Sequence, residues 1–174
     1  ILVGLVKNSH REINIAKEPL SLDRFYLLKS IPEGITLTTF SFASATLLTY
    51  VAIYSKQELG LYSAAGIYFL VLSAGLIISR ILTNSWVRKG YIVRNVKLGM
   101  LLITIGFLMF VGINSIIAYD ISAFIIGIGY GTMCPSYQSM FINPAPSSRR
   151  GTAISSYLTA WDVGAGIGIF SAGY

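Results

Sequence analysis

Asp162 is the residue with the most chemical potential in the chain. It stands in the run SYLTAWDVGAGIG, and it is the only charged residue from Gly151 to Tyr174. A carboxylate at the centre of a bilayer costs about 2.5–3.5 kcal/mol on insertion scales, so it must face a bundle interior or water. There it can be held by hydrogen bonds from a neighbouring helix, or it can carry a proton or contact a substrate. Ser155, Thr159 and Asp162 recur at helical spacing and share a face that Gly166 continues.

A second polar stripe lies upstream. Thr36, Thr39, Ala43, Thr46, Tyr50 and Tyr54 follow spacings of three and four and so line one side of a helix. Part of this stripe is expected to line a polar cavity. Serine and threonine hydroxyls also bond back to their own helix backbone, which would leave some of them structurally silent. Tyr130 and Tyr137 are further polar candidates in an otherwise apolar run. Arg80 is near the end of another apolar run, where its long stem can carry the guanidinium to the interface. With Arg88, Lys89 and Gly90 it marks a basic segment expected to set topology or close a gate.

Other chemistries find little support. Cys134 is the single cysteine and His10 the single histidine; no disulfide partner or metal-ligand spacing surrounds either, and no metal or cofactor is expected. Gly127-Ile128-Gly129-Tyr130-Gly131 lacks the further spacing of a dinucleotide loop and any strand before it. Small residues four apart, as at Gly127 and Gly131 or at Ala160, Gly164 and Gly168, instead let a second helix approach closely. Asp120 and Asp162 would be the acid pair of an intramembrane protease, but they lie at different depths and the GxGD segment of that class is absent. No GxSG or HExxH occurs, so no enzyme is expected.

The elements that must carry these residues are apolar helices. Of 174 residues, 54% are hydrophobic and only 11% charged, against about 25% charged in a soluble domain. No charge occurs from Leu98 to Tyr119 or from Ile121 to Ser148. Runs of about 20 apolar residues are long enough to cross a hydrocarbon core. The expected fold class is an all-α membrane protein, a polytopic transmembrane helix bundle with five spans at about 31–55, 62–83, 98–118, 121–142 and 151–174. A β-barrel would show alternating segments about half as long. Residues 1–6 read as the end of an earlier helix and 7–29 as a polar cytoplasmic linker. Twelve of the thirteen Lys and Arg residues fall in the linker and in the connections at 80–97 and 149–150; only Lys56 falls on the other side. That bias places those connections in the cytoplasm, and it accounts for the net charge of +6 without nucleic acid.

Three stretches resemble one transporter family. GIGYGTMCPSYQSMFINPAPSSRRGTA (127–153) is similar to the tenth helix and following loop of the major facilitator superfamily. SYLTAWDVGAGIG (156–168) is similar to the eleventh helix of drug-exporter-like members. GLIISRILTNSWVRKGYIVRN (75–95) resembles the family's second basic cytoplasmic motif. The acidic position of that motif is occupied here by Trp86 or Val87, so only Arg80, Arg88, Lys89 and Gly90 carry over. The resemblance implies the C-terminal half of a twelve-helix carrier, helices seven to eleven, cut before helix twelve. It implies a multi-pass protein of the plasma (inner) membrane that exports small molecules, with protons as coupling ion and with lipids and the N-terminal half as partners. The expected pathway residues are Asp162, Thr39, Thr46, Tyr50, Tyr130, Tyr137 and Thr159. An uptake permease for a sugar or metabolite is the alternative within the family, and a non-transporting scaffold or receptor the alternative outside it.

Overall fold

The computed structural model describes residues 30–57, 64–88, 90–113 and 115–173. The expected linker at 7–29, the expected helix end at 1–6, His10 and Lys89 lie outside the described residues, as does the side chain of Arg88. Five helices follow one another: α1 (Ile31–Gln57), α2 (Ala64–Arg88), α3 (Ile92–Gly112), α4 (Ile116–Ile142) and α5 (Arg150–Ala172). No strand occurs among the described residues. This is the all-α bundle expected from the apolar runs, because in lipid only a helix satisfies all of its backbone groups within one segment.

α1, α2, α3 and α4 each carry a stretch long and apolar enough to cross a membrane. α5 is of similar length, 23 residues, but its glycines, hydroxyl residues and Asp162 make it less apolar. The bundle leaves large aliphatic side chains outward, including Leu70, Ile81, Leu108 and Val111, as a lipid-facing surface requires.

Helix ends differ from the ends of the apolar runs. α3 starts at Ile92, ahead of the run from Leu98, and takes in Arg94 and Lys97. It stops at Gly112, and α4 begins at Ile116, so Asp120 lies inside α4 and the connection comes earlier than the expected spans, 98–118 and 121–142, would place it. The reason is that apolarity marks the depth of the hydrocarbon, whereas the backbone continues helical into the polar interface. At α1, Ile31-Pro32-Glu33 forms the first turn, where proline loses no hydrogen bond and an acid meets the positive end of the helix dipole.

Glycines set which helices touch. A Cβ on Gly127 would collide with the carbonyl oxygen of Leu72, and one on Gly131 with Ser79 Oγ, so α4 lies directly on the backbone of α2. One position around, Gly129 meets Ile103 and Gly99 of α3, while Gly99 and Gly106 of α3 meet Met133 and Ile126 of α4. α4 is thus pressed between α2, to which it runs parallel, and α3, to which it runs antiparallel. It contributes many of the buried residues, among them Ile126, Tyr130, Met133, Tyr137 and Phe141.

A second crossing joins α1 and α5, which run parallel. Gly164 sits against Thr38 and Ser41, and Gly168 against Phe42. The close approach lets hydroxyls of α1 reach carbonyls of α5. Thr38 donates to Ala160 at 3.0 Å, Ser41 to Trp161 at 2.6 Å and Thr46 to Gly168 at 3.2 Å. At the far end of the bundle, Tyr54, Tyr68, Phe110 and Tyr119 from four helices pack ring against ring. This alternation of direction brings Arg80, Arg94, Lys97, Arg149 and Arg150 to one common end.

Four variants of the intact protein in detergent test these crossings. Gly127→Ala forces α2 and α4 apart and is expected to cost about 1–3 kcal/mol, read as a lowered thermal midpoint. Gly66→Ala, where a Cβ would meet nothing within 4 Å, is expected to leave the midpoint unchanged or raise it. Ser41→Ala is expected to lose about 0.6 kcal/mol, the mean for such interhelical bonds. Ser73→Ala, whose exposed hydroxyl bonds only its own helix at Phe69, serves as the silent comparison.

Candidate functional site

The polar stripe of α1 divides by partner. Thr39 is exposed and its hydroxyl bonds the carbonyl of Ile35 at 3.0 Å. Thr36 is exposed and bonds Glu33 at 2.9 Å. Thr46 bonds both its own helix at Phe42 and, across the crossing, Gly168. Tyr50 is 48% exposed, and Tyr54 turns into the aromatic cluster against Phe110. The threonines therefore follow the helix-bonded pattern common to isolated hydroxyls in apolar helices, while Thr36, Thr39, Ala43 and Tyr50 leave an open polar edge.

α4 meets this edge through its tyrosines. The Tyr137 hydroxyl, on a side chain only 3% exposed, donates to Thr36 Oγ1 at 3.2 Å. Tyr130 is buried between Phe40 of α1 and Trp161 of α5, with ring centroids 6.0 and 6.4 Å away. Its hydroxyl lies beside Ser44 Oγ, and both oxygens are buried without a hydrogen bond of full geometry among the described residues. Buried hydroxyls nearly always find one, so water or a bound polar group is the natural complement. Ser44 also lines a cleft of about 300 Å³ between α1 and α5, with Ser41, Leu48, Thr49, Trp161 and Ala165.

Asp162 is in the middle of α5 and exposed on the bundle surface. The face of α5 packed on α1 is the stripe Ala153, Ser156, Ala160, Gly164 and Gly168, all buried. At 100° per residue Asp162 falls opposite that stripe. Ser155 and Thr159 are exposed on the same side. Ser155 bonds its own helix at Gly151, and Asp162 has no hydrogen bond or ion pair among the described residues. The five helices thus leave this carboxylate uncovered.

A second cavity of about 390 Å³ opens toward the basic end, between α2, α4 and α5. Arg80 and Thr83 line it from α2, Gly131, Cys134 and Gln138 from α4, and Tyr157 from α5. Pro135, also in its wall, has no N–H, so the carbonyl of Gly131 loses its helical donor. Thr83 and Thr132 close one side with their hydroxyls 3.4 Å apart. Gly90, with φ +85°, makes the turn after α2 that only glycine adopts without strain.

The structure therefore joins Thr36 to Tyr137 and surrounds Tyr130 with Phe40 and Trp161, while Asp162 and Thr159 stand apart on the outer side of α5. Residues that the sequence did not single out are Phe40, Ser41, Ser44, Trp161, Gln138 and Tyr157. The only signals for them were the serines three apart beside the threonine stripe and the adjacency of Trp161 to Asp162. Aromatic faces, hydroxyls and a guanidinium at clefts of this size suit binding of a small molecule.

No characterised protein sequence and no solved structure matches the chain. The family model of the Major Facilitator Superfamily does match, over residues 6–169. With nearly the whole chain matched and with membrane-length helices folded into one bundle, the chain belongs to the Major Facilitator Superfamily, integral membrane proteins that act as secondary transporters of small molecules.

Proposed function

We propose that the chain forms helices seven to eleven, in the C-terminal half of a plasma-membrane carrier that exports small molecules in exchange for protons by alternating access. The carrying observation is Asp162: a carboxylate at mid-helix, exposed on the face of α5 turned away from α1, with no partner among the described residues. Lipid is an expensive neighbour for such a group. A water-filled path between two halves removes that cost and makes the carboxylate available to take and release a proton.

In this reading the exposed edge of α1, with Thr39 and Tyr50, and the exposed side of α5, with Thr159 and Asp162, line the path. Thr46, Tyr130 and Tyr137 stand behind it, holding α1 against α5 and α4. The basic residues gathered at one end face the cytoplasm, and Arg80, Arg88, Lys89 and Gly90 form the segment that closes on that side.

The test is transport by the intact protein in proteoliposomes with an imposed pH gradient. Asp162→Asn is expected to lower gradient-driven transport at least tenfold while leaving the thermal midpoint within a degree or two of wild type. Asp162→Glu is expected to retain part of the rate. A wild-type rate in the asparagine variant would sink the coupling role. A large fall in its midpoint would assign Asp162 to structure instead.

A further inference from the structure

The cavity at the basic end is lined by an exposed cation, Arg80, and by no carboxylate among the described residues. Arg80 has no hydrogen bond or ion pair among the described residues, and no carboxylate lines the cavity with it. Of the other described acids, Asp120 is at the opposite end of α4 and Asp162 on the outer side of α5; Glu33 shares the basic end, in the first turn of α1, but does not line the cavity. Around the guanidinium stand neutral groups able to donate hydrogen bonds, the Gln138 amide and the hydroxyls of Thr83 and Tyr157. A planar guanidinium presents its N–H groups in a fork that fits two oxygens of a carboxylate or phosphate.

The cleft is bounded on one side by closely packed backbone. Its floor is the α2–α4 crossing, where Gly131 lies so close to Leu76 and Ser79 that no side chain fits. That close contact fixes the height of Arg80 and Thr83 against Gln138 and Cys134. Tyr157 approaches from α5, held there by edge-to-face packing on Phe141 at 5.8 Å. Three helices from both crossings therefore meet around one unpaired charge.

We infer that the cleft between α2, α4 and α5 is a binding site for a small oxyanion, a carboxylate or phosphate group held by Arg80 with Gln138, Thr83 and Tyr157. The inference deepens the transport reading, since it gives the cargo an anionic group that docks near the cytoplasmic end. Two sources share that chemistry: a soluble solute and the headgroup of an anionic lipid. The site can be probed by equilibrium binding, so a failure of transport or of proton coupling leaves its test unaffected.

The experiment is thermal unfolding of the intact, lipid-stripped protein in neutral detergent, with benzoate, inorganic phosphate or phosphatidylglycerol added. Benzamide and phosphatidylcholine are the uncharged and zwitterionic comparisons. At about ten times the dissociation constant, an anion is expected to raise the midpoint by about 3 °C. Arg80→Gln is expected to abolish that shift, and Arg80→Lys to keep part of it. A shift with the soluble anions identifies a solute site, and one with phosphatidylglycerol alone a lipid site; both support the inference. Gln138→Leu, at an exposed position of α4, is the second variant should Arg80→Gln fail to fold, and it is expected to weaken binding at least threefold. No shift with any anion, an equal shift with benzamide, or an undiminished shift in the variants would overturn it.

Discussion

The contact on which the bundle depends is backbone laid against backbone at glycine. In lipid the tails are as apolar as the side chains, so helices gain little from burying leucine against leucine. What remains is dispersion at short range and the polar bonds that short range permits. Gly127 and Gly131 seat α4 on α2, Gly99 and Gly129 seat it on α3, and Gly164 and Gly168 seat α5 on α1. Each crossing leaves no room for a methyl group. The hydroxyl bonds from Thr38, Ser41 and Thr46 to α5 carbonyls exist because that spacing is already small.

Two tightly crossed units result, α1 with α5 and α4 with its neighbours α2 and α3. The two clefts described above fall along these crossings and where the units meet. One cleft, behind Ser44 and Trp161, follows the α1–α5 crossing. The other, beneath Arg80, lies where Tyr157 of α5 meets the α2–α4 crossing. Aromatic contacts between Tyr130, Phe40 and Trp161 and between Tyr54, Phe110 and Tyr119, with the Tyr137–Thr36 bond, also join the units. Rings can slide past one another at little cost, whereas the glycine crossings cannot open without losing their contacts. That division suits a carrier in which packed units keep their shape while the surfaces between them rearrange.

Much of this was legible in the residues. Five apolar runs foretold five helices, and the basic connections foretold the end at which Arg80, Arg94, Lys97, Arg149 and Arg150 gather. The glycine stripes foretold close crossings but not their partners, because a stripe carries no information about what lies against it. Helix ends were misread at α3, since Arg94 and Lys97 break the apolar run without breaking the helix. The threonine stripe of α1 was visible as a face, yet its hydroxyls mostly bond their own helix, and the hydroxyls that cross to α5 include Ser41, outside the stripe. The mid-helix position of Asp162 followed from its place in the run. Its outward direction required knowing that Ala160, Gly164 and Gly168 face α1.

The central claim is that the exposed polar edges of α1 and α5 face water while the exposed aliphatic faces of α2 and α3 face lipid. Single cysteines placed along these helices in the intact, membrane-embedded protein, with native cysteines replaced, test it through reaction with a charged, membrane-impermeant thiol reagent. The account predicts rapid labelling at positions 39, 159 and 162 and none at 70, 81 and 108. Equal protection of both sets, or labelling of the second alone, would contradict it.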